Sequence, residues 1–237
     1  MSVQIIRGPR DVPTFGAMDS LKIHSDKGQD AASWSDWFDY YWRFKGAASY
    51  VASKTDLLSG QLLVPFGGVA EPGWNAGQGL TFTLATEALD TQLVPASTWS
   101  MMVQFASIPA TAVGNMNMVA GSQSAGSTQL YCWPRNNAGG LNRYTYGHGA
   151  SANSANGLWF GDGNMCVVPT QGYRDGVADL AIGAWVGIAS NTVAIGAHNS
   201  GVIAFPVLGG SITAVGIKTT AMMPAQIALA HAAMAAL

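Results

Sequence analysis

The sequence predicts an all-β fold in which two antiparallel sheets pack as a sandwich, and three observations indicate it. Residues 98–105 alternate apolar and polar side chains with a period of two, as in a strand with one buried face. The 29 glycines and the scarcity of long helical patterns favour short strands joined by tight turns. Further strand-like runs recur at intervals of about ten residues, which is typical of a sandwich.

The central strand is expected at 98–105, with Trp99, Met101, Val103 and Phe105 facing the core. Met102 interrupts the alternation and predicts that the other face is partly covered too, as in the middle of a sheet. We therefore expect Trp99 to be buried in the sandwich.

The 237 residues fit one main domain at 31–237, preceded by an extended arm at 1–30. The arm contains Pro9 and Pro13, mixed charges and little periodicity, so it cannot order itself. One interpretation is a flexible tail; the other is a segment that becomes ordered on a neighbouring subunit. The second is favoured by apolar residues that a free tail would expose, namely Val3, Ile5, Ile6, Val12 and Phe15.

Seven aromatic residues crowd into positions 34–44. Such rings could stack on sugars, or they could form a buried seam between the arm and the sandwich. Each ring buries about 150–250 Å² when packed, which favours the buried seam over seven exposed rings. The seven are Trp34, Trp37, Phe38, Tyr40, Tyr41, Trp42 and Phe44.

The remaining elements follow in order. Asp175-Gly176 is a two-residue hairpin signal. A helix is expected at about 223–235 with Pro224 in its first turn, as a lid on the sandwich edge. One side of this helix carries Ile227, Ala230, His231 and Met234. Strands are expected at 40–45, 80–84, 89–94, 116–120, 128–133, 141–146, 158–160, 164–168, 186–189, 192–196 and 211–217.

Charge is scarce and unevenly distributed. Charged residues make up 10% of the chain, the formal net charge is -2, and positions 91–237 hold only seven of them. This composition carries no electrostatic footprint for nucleic acid or an anionic membrane. The absence of an apolar h-region and of an apolar run near 18 residues predicts neither a signal peptide nor membrane insertion, and hence synthesis in a cytoplasm.

No metal or cofactor site is expected. Cys132 and Cys166 are 34 positions apart and make no zinc pattern, so they are either a disulfide or two buried thiols. The four histidines lack ligand spacing, and the aspartates are too sparse for a calcium site.

Several motifs occur in an order that resembles concanavalin A-like, laminin-G-like jelly-roll domains, in particular those of tailed phages and prophages. The resemblance spans about residues 40–235 and implies two packed sheets of about six or seven strands each, with no particular activity. The motifs are Trp42-Arg43-Phe44, Leu58-Ser59-Gly60, 99–105, 172–176, 193–199, 210–217 and 224–227.

Glycanases of similar fold carry a Glu-x-Asp-x-x-Glu strand motif, whose carboxylates act across the scissile bond. This chain has two glutamates, Glu71 and Glu87, and neither lies in such a motif. We therefore expect no enzymatic activity and no catalytic residues.

Two functions remain. The first is a structural protein of a phage virion, a capsid decoration, spike or tail-fibre component that docks through its arm to other virion proteins and forms a homo-oligomer. The alternative is a glycan-binding, lectin-like module that recognises host surface carbohydrate. Its predicted platform lies in the polar segment 136–164, where the ring-bearing residues are Tyr144, Tyr146, His148 and Trp159, although burial in a core would explain the same residues.

Overall fold

The computed structural model describes residues 34–237 apart from positions 68, 85, 110–116, 125–127 and 138–139. The predicted arm, with Val3, Ile5, Ile6, Val12 and Phe15, lies outside the described residues. The described helices are α1 (Tyr50–Lys54) and α2 (Pro224–Ala235). The described strands are β1 (Tyr40–Arg43), β2 (Val64–Pro65), β3 (Gly73–Asn75), β4 (Gly79–Thr81), β5 (Leu89–Asp90), β6 (Ser100–Ala106), β7 (Ala120–Gln123), β8 (Gln129–Asn136), β9 (Arg143–His148), β10 (Ala150–Asn153), β11 (Gly163–Val168), β12 (Gln171–Arg174), β13 (Val177–Ala181), β14 (Ala194–Ile195), β15 (His198–Asn199), β16 (Ile203–Ala204) and β17 (Ser211–Lys218).

Two sheets form the predicted sandwich. Sheet I has the strand order β13-β12-β11-β6-β17-β4-β3, and β1 also pairs with β17. Sheet II has the order β10-β9-β8-β7-β14-β5-β2, and β15 pairs with β7 and β16. The strand pairs are antiparallel apart from β7 with β15. The all-β, two-sheet antiparallel sandwich with one C-terminal helix is confirmed.

The central strand is β6, which lies between β11 and β17 in sheet I. Its residues Met101, Val103 and Phe105 point into the core between the sheets, as predicted. Met102 is fully buried on the opposite face, so the prediction of a second covered face is confirmed. The prediction that Trp99 is buried is wrong, because the residue is half-buried. It follows the turn before β6, where its backbone N–H donates to the carbonyl of Ala96.

Helix α2 covers the outer face of sheet I rather than the sandwich edge that was predicted. Its N-terminus is capped by the side chain of Gln226, which accepts a hydrogen bond from the N–H of Met223 at 2.9 Å. The predicted stripe is largely confirmed, but His231 is only half-buried while Ala233 is buried. Small alanines on this stripe let the helix lie close to the strands beneath it.

The aromatic cluster at 34–44 is buried apart from the half-buried Tyr40, as packing in a core predicts, whereas the arm that was predicted to cover it lies outside the described residues. Trp34 stacks on Tyr41 with ring centroids 4.0 Å apart, and both rings lie in the cluster beneath α2. Trp42 and Phe44 point the other way, into the core between the sheets. The rings beneath α2 therefore hold this helix to sheet I, and neither these rings nor those in the core between the sheets form a sugar platform.

The hairpin signal at Asp175-Gly176 is confirmed, since both residues have positive φ (50° and 79°) and join β12 to β13. Other strand predictions differ from the structure. Segments 158–160 and 186–189 form no strand, because the N–H of Leu158 closes a turn on Ala155 and the second segment is a loop. Strands β2, β3, β10, β15 and β16 were not predicted.

Cys132 and Cys166 are both buried and unpaired. Cys132 belongs to the core between the sheets, and Cys166 belongs to the cluster beneath α2, so they pack as small apolar residues. No helix in the described part of the chain is long and apolar enough to span a membrane. Nor do three or more His, Cys, Asp or Glu side chains come together among these residues.

Candidate functional site

Three of the four residues predicted as a sugar platform are buried in the structure. Tyr144, Tyr146 and His148 occupy alternate positions of β9 that face inward. Both tyrosine hydroxyls donate to the carboxylate of Asp179, each at 3.1 Å. His148 is held by a hydrogen bond of 3.0 Å between its Nε2 and the carbonyl of Trp99. None of these rings has a face open to a sugar.

Trp159 is not brought together with those three residues. It is half-buried, and the guanidinium of Arg135 lies 5.0 Å from the centre of its ring. These positions correct the predicted platform. The aromatic residues of β9 occupy its inward-facing positions and belong to the core, and the guanidinium of Arg135 lies over the ring of Trp159.

The opposite, outer face of β8 and β9 carries the site that sequence reasoning missed. It forms a cleft of about 250 Å³ in sheet II. Most of the lining comes from outward positions of neighbouring strands, since side chains alternate between the two faces. The lining residues are Met118, Gln123, Gln129, Tyr131, Trp133, Asn136, Arg143, Thr145, Ser151, Asn153, His198 and Phe205.

Two glycines shape the floor of this cleft. A Cβ atom at Gly147 would clash with the ring of Tyr131. A Cβ atom at Gly121 would lie 2.8 Å from the Cβ of the same tyrosine. The tyrosine ring can therefore lie across β9 toward β10, where its hydroxyl is 2.6 Å from the hydroxyl of Ser151. Ser151 also accepts a hydrogen bond from Gln129 at 2.8 Å.

Aromatic rings form one wall. Trp133 stacks on Phe205 with centroids 4.9 Å apart, and His198 stacks on Phe205 at 5.6 Å. Phe205 has a φ of 50°, a backbone conformation that is rare for a bulky residue. Such outliers persist where the surrounding structure imposes them, often at binding sites.

A chain of hydrogen bonds forms the opposite wall. The amide of Asn136 donates to the hydroxyl of Thr145 at 3.1 Å, and this hydroxyl donates to Asn153 Oδ1 at 2.9 Å. Asn153 and Ser151 are exposed at the rim, so the wall runs from a buried amide to solvent. This series of hydrogen bonds orients the polar groups around the floor of the cleft.

Two buried polar groups of the cleft have no partner within the described residues. His198 is 1% exposed, yet neither of its ring nitrogens forms a hydrogen bond. The Nε of Arg143 is likewise buried and unpaired. A buried polar atom left without a partner costs about 1–3 kcal/mol, so a ligand that satisfies these atoms would gain that free energy back.

Burial also changes the titration of two cleft residues. It lowers the pKa of His198 to about 4, so the ring is neutral at pH 7 and offers one donor and one acceptor. Burial raises the pKa of Tyr131, against the opposing effects of the Ser151 hydrogen bond and the Arg143 charge.

Acidification is expected to destabilise the protein through His198. Its folded pKa of about 4 lies below the ordinary value of 6.5, so the unfolded chain binds more protons between these pH values. The contribution of His198 to the free energy of unfolding is fully present above about pH 6.5 and is lost as the pH falls toward 4. At pH 5 the loss should be on the order of 2 kcal/mol.

Urea titrations at pH 7.5 and pH 5 measure this loss. The pKa of His148 is also lowered by burial, so it contributes in the same direction. His198→Gln should therefore shrink the loss without abolishing it. An equal loss in this variant and the wild type would show that His198 titrates normally.

One strand of this cleft could have been predicted from the sequence. In 129–135, residues Gln129, Tyr131, Trp133 and Arg135 alternate with an apolar set that includes Leu130 and Cys132. This pattern predicts a strand with a polar and aromatic face. The pairing of β8 with β7 and β9, and of β9 with β10, turns that face into a cleft and has no local signal.

No protein-family model matches this chain, and no curated protein matches it. Solved structures are similar in fold. One is domain 4 of an extracellular GH43 arabinanase from Geobacillus stearothermophilus in complex with arabinotriose, with a TM-score of 0.53 and 14% identity over 81% of this chain and 96% of that one. Another is a Trypanosoma rangeli sialidase mutant displaying trans-sialidase activity, with a TM-score of 0.54 and 16% identity over 84% of this chain.

The chain spans 34% of that sialidase and 33% of a second Trypanosoma rangeli sialidase structure, in complex with sialic acid, which it matches with a TM-score of 0.52 and 16% identity. At such identities the similarity shows a shared β-sandwich fold. These neighbours are glycosidase structures and not phage proteins.

Proposed function

We propose that this protein is a glycan-binding module that holds a sugar in the outer cleft of sheet II. The observation that carries the proposal is the cleft itself, where aromatic rings face buried polar atoms that lack partners. Concave sites with apolar walls and a few placed polar groups are the usual form of small-ligand sites. The arabinanase domain of similar fold, solved with arabinotriose, adds support.

The chemistry of the lining suits a sugar. A pyranose or furanose presents C–H groups that pack on a half-buried ring such as Phe205, and hydroxyls that both donate and accept. Neutral His198 can donate from one ring nitrogen and accept at the other. Thr145 and Asn153 supply further polar contacts at the wall.

The size of the cleft limits the ligand. Its volume of about 250 Å³ is below the range of about 300–1,000 Å³ found for drug-sized ligands. The cleft therefore suits one sugar ring, such as the end of a glycan chain. An extended oligosaccharide would have to continue along the rim, past Ser151 and Asn153.

Binding without hydrolysis is the proposed activity. Most glycosidases need a pair of carboxyl groups at the scissile bond. The described lining of the cleft contains none. The two glutamates are engaged elsewhere, Glu71 with Lys54 at 2.9 Å and Glu87 with the N–H of Leu84 at 3.0 Å.

Glycan-array screening followed by calorimetry tests the proposal. Phe205→Ala should weaken binding about tenfold, or 1.4 kcal/mol, because it removes part of the aromatic wall. Phe66→Ala is a matched control, since Phe66 is also half-buried but lies outside the cleft. A wild-type protein that binds no glycan, or a Phe205→Ala variant that binds as tightly, would refute the proposed site.

A role in a virion, with docking to other virion proteins and self-association through the arm, stays a prediction of the sequence. The structural neighbours do not support it, so we place glycan recognition first. The two roles are compatible, because an adhesion module can be displayed on a particle. Mass spectrometry of purified particles tests the virion role directly.

A further inference from the structure

Arg143 is the charged member of the described cleft lining. It lies at the start of β9, opposite Asn136 of β8, and its side chain is half-buried. None of the other described lining residues is acidic, and His198 is neutral at pH 7. The site therefore carries one positive charge that nothing in its described lining balances.

The guanidinium of Arg143 also differs from that of its neighbour Arg135. Arg135 donates to the carbonyl of Pro109 at 2.5 Å and to Asn142 Oδ1 at 3.0 Å, and it stacks on Trp159. Arg143 forms no ion pair within the described residues, and its Nε is buried without a hydrogen bond. Its Nε donor therefore has no partner among the described residues and is available to a ligand.

From this arrangement we infer that the cleft selects a sugar acid, whose carboxylate is held by the Arg143 guanidinium; the inference rests on the glycan site proposed above. Hydrogen bonds between arginine and a carboxylate are charge-assisted and often bidentate, and they are about twice as strong as neutral ones. A neutral sugar offers Arg143 only hydroxyl oxygens, which leave its charge partly desolvated and unpaired.

The rest of the cleft agrees with an anionic ring. Arg143 and Tyr131 line the same cleft of about 250 Å³, so a carboxylate beside Arg143 places the attached ring close to the Tyr131 floor. There the ring lies between the aromatic wall of Phe205 and the polar wall of Thr145. The absence of acidic side chains from the described lining means that the carboxylate meets no repulsion.

The test compares acids with their methyl esters, which have nearly the same shape but no charge. Calorimetry or ligand-observed NMR is carried out with glucuronic acid, N-acetylneuraminic acid and the methyl ester of each, with glucose as a neutral reference. Wild-type protein should bind at least one acid about tenfold more tightly than its ester. Which of the two acids binds distinguishes a six-carbon uronic acid from a nine-carbon sugar acid.

Variants assign the preference to one side chain. Arg143→Gln should bind the acid and the ester equally, and Arg143→Lys should keep part of the preference, because it keeps the charge without the planar fork. Arg174→Gln is the control: Arg174 is exposed in sheet I and stacks on Tyr144 at 5.5 Å, outside the cleft. Circular dichroism confirms that each variant is folded.

The outcomes separate this inference from the proposed function. If neutral sugars and esters bind the wild type as tightly as the acids, selection of a sugar acid is wrong, while glycan binding stands. If the acid preference survives in Arg143→Gln, its assignment to Arg143 is wrong. If no sugar of either kind binds, and the glycan array is also empty, the proposed function itself fails.

Discussion

Ala230→Asp is expected to lower the free energy of unfolding by several kcal/mol. Ala230 is fully buried between α2 and the outer face of sheet I, in a cluster with Met102 and Trp34. An aspartate there must bury a carboxylate among apolar side chains or force the helix off the sheet. Both are costly, because an unpaired buried charge loses its hydration.

Ala228→Asp is the matched control for this effect. Ala228 lies in the same helix but is exposed, so it carries the same loss of helix propensity without the burial. Urea denaturation followed by far-UV circular dichroism should give a much larger loss for Ala230→Asp. If Ala230→Asp fails to fold, Ala230→Ser serves as a milder probe, and its loss should still exceed that of Ala228→Ser. Equal losses at the two positions would show that α2 is not docked as described.

Trp42→Ala is expected to cost about 3–5 kcal/mol, the usual range for truncating a large aromatic residue in a core. Trp42 is fully buried between the sheets, pairs with Val215 across β1 and β17, and stacks on Tyr40 at 6.1 Å. Removing it leaves a cavity that the surrounding strands can fill only in part.

Trp99→Ala is the comparison that distinguishes core from boundary. Trp99 is half-buried and precedes β6, so the same truncation removes less buried area and opens no closed cavity. We expect less than half of the loss seen for Trp42→Ala in parallel denaturant titrations. Similar losses would mean that Trp99 belongs to the core, as the sequence pattern alone suggested.

Local patterns were enough to predict many of the elements. The alternation around Met101, Val103 and Phe105 predicts β6, and Asp175-Gly176 predicts the β12–β13 hairpin, because both depend on residues adjacent in the chain. Pro224 and the apolar stripe after it predict α2 for the same reason. The face of the sandwich on which α2 lies depends on distant residues such as Trp34, and it was predicted wrongly.

The prediction of the binding site failed at a different step, which was the choice between the two faces of β9. Alternation separates Tyr144 and Tyr146 from Arg143 and Thr145, but it does not say which set points inward. Asp179 of β13 decides this, because its carboxylate satisfies the tyrosine hydroxyls inside the sandwich. No residue near β9 in the sequence indicates that Asp179 is the partner of these hydroxyls.

The sequence by itself determined the all-β class, the main strands, the hairpin and the C-terminal helix, since period and turn chemistry are properties of short segments. The tertiary structure alone decided which residues form the cleft. Its residues lie as far apart in the chain as Tyr131, Arg143 and Phe205, and Gly147 matters only because the ring of Tyr131 crosses it. The consecutive strands β7 to β10 form one part of the site, whereas the pairing of β15 with β7, which brings in His198, spans a long sequence distance and leaves no mark on any one segment.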